Sequence, residues 1–257
     1  MTTGPGPSAP ASPVPASPVP ASPAPGSAGT VGLLHTVPAL AQRFDADVDA
    51  AAPLLRRLHV VDGWLLATAV AQGVTPQVEA AVAAHVRHLV DAGATAVLVT
   101  CSSIGEAAEA AAATVDVPVL RVDASMAREA VTLASAPGAR GRVAVLATLA
   151  STLGPTGRLV QRAAADAGAD VDVEAGVVDG AAAARDAGDG ERADRLVAEA
   201  VADAARGADV VVLAQASMAG AAALAEPAVP VLTSPAGGVA ALVRALATTT
   251  GRVPGER

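Results

Sequence analysis

Apolar positions between residues 30 and 247 follow two alternating patterns: short Val- and Leu-rich runs bounded by turn residues, and longer stretches with helical spacing. The runs at 30–36 (TVGLLHT), 54–61, 96–100, 117–122 (VPVLRV), 142–148 (RVAVLAT), 170–174, 209–214 (DVVVLA) and 229–234 (VPVLTS) predict strands. β-branched runs of this length, set off by Gly, Pro and Asp, suit strands buried on both faces. Helices are predicted after Pro38, over 77–90, from Ile104, from Ser125, over 153–167, over 191–206, after Ser217 and from the last strand to about Ala247. Strands and helices in alternation imply an α/β protein with parallel sheets covered by helices on both faces.

The pattern also repeats. VGLLHT at 31 resembles VAVLAT at 143, and GATAVLVTCSSIGEAA at 93 resembles GADVVVLAQASMAGAA at 207, with offsets of 112 and 114. Each pair leads into a VPVL strand, at 117 and 229. Order and spacing together predict two pseudo-symmetric α/β halves, 30–130 and 131–248, each a parallel sheet flanked by helices. Ligands of open parallel sheets bind beyond the carboxyl ends of the strands, so the expected site is the cleft between the halves. Residues 1–29 repeat ASPVP-like units of Pro, Ala and Ser, which predicts a disordered tail without the basic start of a secretory signal; 249–257 is read as a C-terminal tail.

The strand ends carry the chemistry. The first half contributes His35, Thr36, Thr100, Cys101, Ser102 and Ser103; the second contributes Thr148, Ser151, Thr152, Gln215, Ser217, Thr233 and Ser234. This set is neutral and rich in hydroxyls at predicted helix starts, where unpaired N–H groups favour a small anion such as a carboxylate. Singly, each Ser or Thr reads as a helix cap. Cys101 is the only cysteine. A lone cysteine commonly just packs, but one at a helix start is also expected to have its thiolate favoured and its pKa lowered.

Composition removes several function classes. The chain has no Lys, so it forms no Schiff base and offers no P-loop lysine to a nucleotide. A net charge of −8 argues against nucleic acid. No apolar run reaches membrane-spanning length, so no membrane partner is expected. His85 and His88 lie three apart on a predicted helix, a spacing that could ligate a metal but more often marks a solvated face, and no metal or cofactor site is assigned. A single cysteine suits a reducing, cytoplasmic setting. Dimers being the commonest enzyme assembly, a homodimer is the state to look for first.

The stretches VGLLHT, VTCSSIGEA, VAVLATLASTLGPT and VVVLAQASMA resemble the aspartate, glutamate and hydantoin racemase superfamily, which also holds maleate isomerases and arylmalonate decarboxylases. The resemblance spans 30–248. It implies two pseudo-symmetric domains and cofactor-independent proton transfer by cysteine at the carbon beside a carboxylate. It makes Cys101 the acid/base, with Ser102, Ser103, Thr148 and Thr36 as carboxylate contacts; Thr152, Gln215, Ser217 and His35 read as further substrate-binding residues from their place at the strand ends.

One departure bears on mechanism: the position matching Cys101 in the second half is Gln215, and an amide is no base at neutral pH. Either His35 or His59 supplies a second base, or protonation is one-sided as in a decarboxylase or lyase, or the thiol adds to an unsaturated diacid. The stretch 59–62, His-Val-Val-Asp, is a further candidate for the cleft. The expected function is a racemase or isomerase of a small carboxylate of amino-acid or hydantoin type. A non-catalytic carboxylate-binding protein is the alternative.

Overall fold

The computed structural model describes residues 29–225 and 227–250, with side chains as far as 248. Apart from Gly29, the stretch read as an N-terminal tail lies outside the described residues, as do residues 251–257 of the C-terminal one. The first half runs β1 (Thr30–His35), α1 (Pro38–Ala51), β2 (Arg56–Val61), α2 (Gly63–Gln72), α3 (Pro76–Asp91) and β3 (Ala96–Val99). It continues through a 3-10 turn (Ser102–Ile104), α4 (Gly105–Ala112), β4 (Val119–Arg121) and α5 (Ala124–Ala134). The second half runs β5 (Arg142–Ala147), α6 (Ala150–Ala167), β6 (Asp172–Val177), α7 (Ala181–Asp186), α8 (Gly190–Ala204) and β7 (Val210–Leu213). Two 3-10 turns (Ala216–Met218 and Ala221–Ala223), β8 (Val231–Thr233) and α9 (Ser234–Thr250) complete it.

Both sheets have four parallel strands, in the orders β2-β1-β3-β4 and β6-β5-β7-β8. The registers match strand for strand: Val31 pairs with Ala96 as Val143 pairs with Val210, and Val99 pairs with Arg121 as Leu213 pairs with Thr233. His35 therefore corresponds to Ala147, Thr36 to Thr148, Cys101 to Gln215, and Arg121 to Thr233.

Apolar side chains cover both faces of each sheet. In the first, Leu34, Val97 and Val99 pack on α2, α3 and α4 through Leu65, Val82, Val86 and Ala108. The opposite face, Val31, Leu33 and Leu98, meets Phe44 and Val48 of α1 and Val239, Leu242 and Leu246 of α9. In the second sheet Val143, Val145 and Val212 meet Val160 of α6 and Met126, Ala130 and Val131 of α5. Each half's last helix thus packs on the other half's sheet, and the halves interlock. At the seam, a Cβ on Gly238 would stand 2.8 Å from Cγ2 of Val122, so α9 can approach there only through glycine.

Three local readings change. The helix predicted after Ser217 is replaced by two 3-10 turns. Its counterpart α4 carries Glu106 and Glu109, which pair with Arg158 of α6, Arg121 of β4 and Arg162 of α6; the corresponding positions in the second half are Gly220 and Ala223, which form no such pairs. Glycine's backbone entropy then disfavours a regular helix. Helix α2 has no signal in the apolar pattern because GWLLATAVAQ has no polar face, although Asp62 accepts from the Trp64 N–H at its start and Gly73 leaves the helix at φ 76° at its end. Helix α7 is only six residues long.

Candidate active site

The strand β3 is fully buried and ends where Thr100 N–H still donates to the Leu34 carbonyl at 2.9 Å. Cys101 is extended (φ −119°, ψ 115°) and immediately precedes the 3-10 turn, whose closing Ile104 N–H donates to the Cys101 carbonyl at 3.3 Å. This delivers Cys101, partly exposed, to a cavity of about 330 Å³ at the carboxyl ends of both sheets. Its lining joins Thr36, Thr100, Cys101, Ser102 and Ser103 to Thr152, Gln215 and Ser217 of the second half. Val37, Leu40, Leu66 and Leu149 supply apolar wall. A larger groove of about 700 Å³ near α5 and α6 holds Arg121, Arg128 and Arg162, but not Cys101, and Arg121 and Arg162 are tied there to carboxylates.

The hydroxyls divide into spent and unspent ones. Ser103 Oγ and Thr152 Oγ1 are hydrogen-bonded to one another at 2.8 Å across the two halves. Thr100 Oγ1 donates to the Leu34 carbonyl at 3.1 Å. Ser102 Oγ is buried with no hydrogen-bond partner, which leaves it for a ligand's acceptors, while Thr36 Oγ1, which has no N or O partner, stands as a donor to the Cys101 sulfur. Across the cleft the Gln215 amide is fixed: its Oε1 accepts from the N–H of Thr148 at 2.6 Å and from the Thr148 hydroxyl at 2.9 Å. A backbone N–H can only donate, so the carbonyl end of the amide must face Thr148 and the Nε2 protons are left for the cavity. Thr148 itself serves Gln215 and is not part of the lining.

The thiol departs from the sequence expectation. Burial pushes the Cys101 pKa up, and the Thr36 hydroxyl, the Ser103 and Ile104 N–H groups and the Ser103 hydroxyl offset this only in part. Desolvation outweighs what a single 3-10 turn offers an anion, so Cys101 rests as a protonated thiol at neutral pH.

His35 does not reach the cleft. It is fully buried, with Nδ1 2.9 Å from Thr100 Oγ1 and Nε2 3.0 Å from His59 Nδ1. The one proton of the Thr100 hydroxyl serves either the Leu34 carbonyl or His35 Nδ1, and the His35 tautomer follows from that choice; in both cases the two ring nitrogens are hydrogen-bonded and hold the imidazole in place. Burial and the neighbouring His59 push the His35 pKa down to about 4. His59 in turn meets Asp45 at 3.1 Å on the outer side. Neither histidine lines the cavity, and the second-base role considered for them has no geometric support. Asp62 caps α2 and pairs with His85 at 2.8 Å, away from the lining. Ser234 is fully buried and, with Thr233, also lies outside the lining. Among the described residues no cluster of three or more His, Cys, Asp or Glu could hold a metal, and no helix is long and apolar enough to cross a membrane.

Sequence reasoning missed Arg185. It projects from α7 into the lining, held at 2.6 Å by Asp194 of α8, and gives a site read as neutral one cation. The flanking glycines, Gly180 at φ 75° and Gly188 at φ 81°, were the only local signal of α7, and nothing in the sequence aimed it at Cys101.

Residues 35–246 match the profile of the Asp/Glu/Hydantoin racemase family. Among solved structures, a glutamate racemase isoform, RacE1, from Bacillus anthracis superposes with a TM-score of 0.64 at 15% identity, covering 87% of this chain and 83% of that one. Allantoin racemase from Pseudomonas fluorescens gives 0.57 at 18% identity, covering 86% and 92%. A point mutant of arylmalonate decarboxylase in its sulfate-associated form gives 0.53 at 21% identity, covering 88% and 97%. These likenesses carry the two-domain fold. No curated protein matches the sequence.

Proposed function

The chain belongs to the Asp/Glu/hydantoin racemase family, and from that premise we propose that it is a cofactor-independent enzyme in which Cys101 transfers a proton at the carbon beside a small carboxylate. The observation that carries the reading is the cavity lining: among the described residues Cys101 is its one side chain suited to acid/base work, with the unspent donors Ser102 and Gln215 beside it. The carboxylate rests on the Ser102 hydroxyl beside the turn. When the neighbouring carbon acquires carbanion character, its charge spreads into the carboxylate as an enediolate. The Gln215 amide, fixed by Thr148, directs its Nε2–H at that charge together with the Ser102 hydroxyl, so little reorganisation is required. In the protonating step the S–H bond breaks as the C–H bond forms, and the resulting thiolate recovers a proton from water. In the reverse direction the thiolate removes the proton; Thr36, Ser103 and Ile104 favour that thiolate.

A second reading is favoured by two specific features. The position facing Cys101 by pseudo-symmetry is an amide rather than a second thiol, and the resting thiol is protonated. One acid on one face suits loss of a carboxylate followed by one-sided protonation, as in a decarboxylase. The test is incubation in D2O with 2-amino acids, hydantoins, 2-substituted malonates and maleate, followed by proton NMR and chiral analysis, with Cys101→Ala in parallel. Cys101-dependent exchange with inversion supports an isomerase. Decarboxylation, or exchange with retained handedness, supports one-sided chemistry. Turnover unchanged in Cys101→Ala would sink both readings, and saturable carboxylate binding without exchange would favour the binding-protein alternative.

A further inference from the structure

His59, His35 and Thr100 share protons along one line, and donor counting leaves that line two patterns. At its outer end His59 Nε2 stands 3.1 Å from Asp45 Oδ1, with the His59 side chain 24% exposed. Desolvation raises the Asp45 pKa, but the hydrogen bonds from Arg57 and His59 outweigh it and hold the carboxyl below its ordinary range. An ionised carboxylate only accepts, so His59 Nε2 carries a proton whether the ring is neutral or charged. His59 Nδ1 faces His35 Nε2 at 3.0 Å, and one proton fits between them. Burial and the neighbouring His59 push the His35 pKa down to about 4, so at neutral pH this ring has a single N–H to place. Its Nδ1 lies 2.9 Å from Thr100 Oγ1, which in turn lies 3.1 Å from the Leu34 carbonyl oxygen.

With His59 neutral, its Nδ1 is a bare acceptor. His35 must then donate from Nε2 and accept at Nδ1, and the Thr100 hydroxyl gives its proton to the ring. With His59 protonated, its Nδ1–H donates inward. His35 then accepts at Nε2 and donates from Nδ1 to Thr100, whose own proton passes to the Leu34 carbonyl. The line as a whole gains one proton, the charge stays on His59 beside Asp45, and His35 changes tautomer but not charge. Only in the second pattern does a proton lie between Thr100 Oγ1 and Leu34; in the first, two oxygens face each other with lone pairs alone. The Leu34 carbonyl also takes the Thr100 N–H at 2.9 Å, so the hydroxyl proton doubles the tie between β1 and β3 next to Thr36 and Cys101. Thr100 itself lines the cavity. We propose that proton uptake at His59 is passed through His35 to the floor of the cleft, where the turned Thr100 hydroxyl tightens the β1–β3 tie beside the thiol. His59 and His35 are thus positioning residues for that wall. The charged groups around His59 are Asp45 and Arg57, which also holds Asp49 of α1; Asp62, past the end of β2, is turned to His85 of α3. The second sheet keeps the same register with Ala175, Ala147 and Ala214 at the matching positions, so the fold itself does not call for the line.

The test follows the histidine ring 15N signals of the full-length protein against pH by long-range 1H–15N correlation, with His35→Gln and His59→Gln used for assignment. As His59 titrates, the protonated and bare nitrogens of His35 are expected to exchange identity at the His59 midpoint while the ring stays neutral. The unaltered protein decides this readout by itself. At the thiol, alkylation of Cys101 by iodoacetamide is counted by intact mass in the unaltered protein and in Thr100→Val, which lacks the hydroxyl but keeps His59. The ratio of the two rates is expected to change by about twofold or more across the His59 midpoint, because one hydrogen bond of the tie is moved in only one of the proteins. A His35 tautomer that stays fixed while His59 titrates overturns the inference. A constant rate ratio overturns it too, since any effect on the thiol then comes from the His59 charge alone. Neither readout uses turnover, so the inference and the proposed reaction fail separately.

Discussion

The two halves share strand order and register, yet their strand ends are chemically different. In the first, Asp45, His59, His35 and Thr100 form a continuous hydrogen-bonded line across β2, β1 and β3, directly beneath Thr36 and Cys101. The registers place Ala175, Ala147 and Ala214 where His59, His35 and Thr100 stand. The contrast extends one strand further: Arg121 is buried on Asp123 and Glu109, and its counterpart is Thr233. A duplicated backbone has kept one end as a polar, ion-paired support for a thiol and made the other an alanine-lined support for an amide. Backbone geometry fixes where the cleft lies; side chains decide which wall presents a thiol and which an amide.

The largest expected effect comes from removing what is unique to the first half. Cys101→Ala should lower exchange or turnover by about 10²–10⁴-fold with an unchanged melting temperature, measured by NMR and calorimetry. Making the halves alike sharpens the same point: on the one-sided reading, Gln215→Cys should add inversion, read by chiral chromatography.

Breaking the buried ion network comes next. Asp123→Ala removes the buried carboxylate that takes Nε and Nη2 of Arg121, leaves that 5% exposed guanidinium only Glu109, and should cost about 3 kcal/mol in chemical denaturation. The His35 relay predicts a pH effect of about 3 kcal/mol. The folded protein binds that proton only at about 4, whereas the unfolded chain binds it at 6.5. Stability contributed by His35 is therefore full above 6.5, falls as pH drops toward 4, and levels off below that. Denaturation of His35→Gln across the same window should show a flatter profile, and an unchanged slope would refute the assignment.

Gly105→Ala should cost about 1–3 kcal/mol, because the new Cβ would lie 2.5 Å from the pinned Arg121 guanidinium. The equivalent position in the second half is already Ala219, where Thr233 leaves room. Deleting residues 1–28, which carry no functional group assigned to the site, is expected to leave turnover unchanged.

Much of the architecture was legible in the sequence, because burial on both faces forces continuous Val- and Leu-rich runs and a duplicated chain repeats them in order. The same repeat set Cys101 against Gln215 at matched strand ends, and the turn residues after the strands marked the cleft's hydroxyls. Tertiary structure alone decided the rest. His35 reads from sequence like any strand-end side chain, yet the pleat and two neighbouring strands turn it into the interior, where burial strips its charge. Arg185 enters the cleft only because Asp194 on the next helix holds it there. The Cys101 thiol is governed less by the turn that follows it than by the walls that close around it. Which donors remain unspent, Ser102 and the Gln215 amide, depends on pairings between residues up to 67 positions apart. Local pattern determines elements and their ends; desolvation and hydrogen-bond competition act only once distant segments meet.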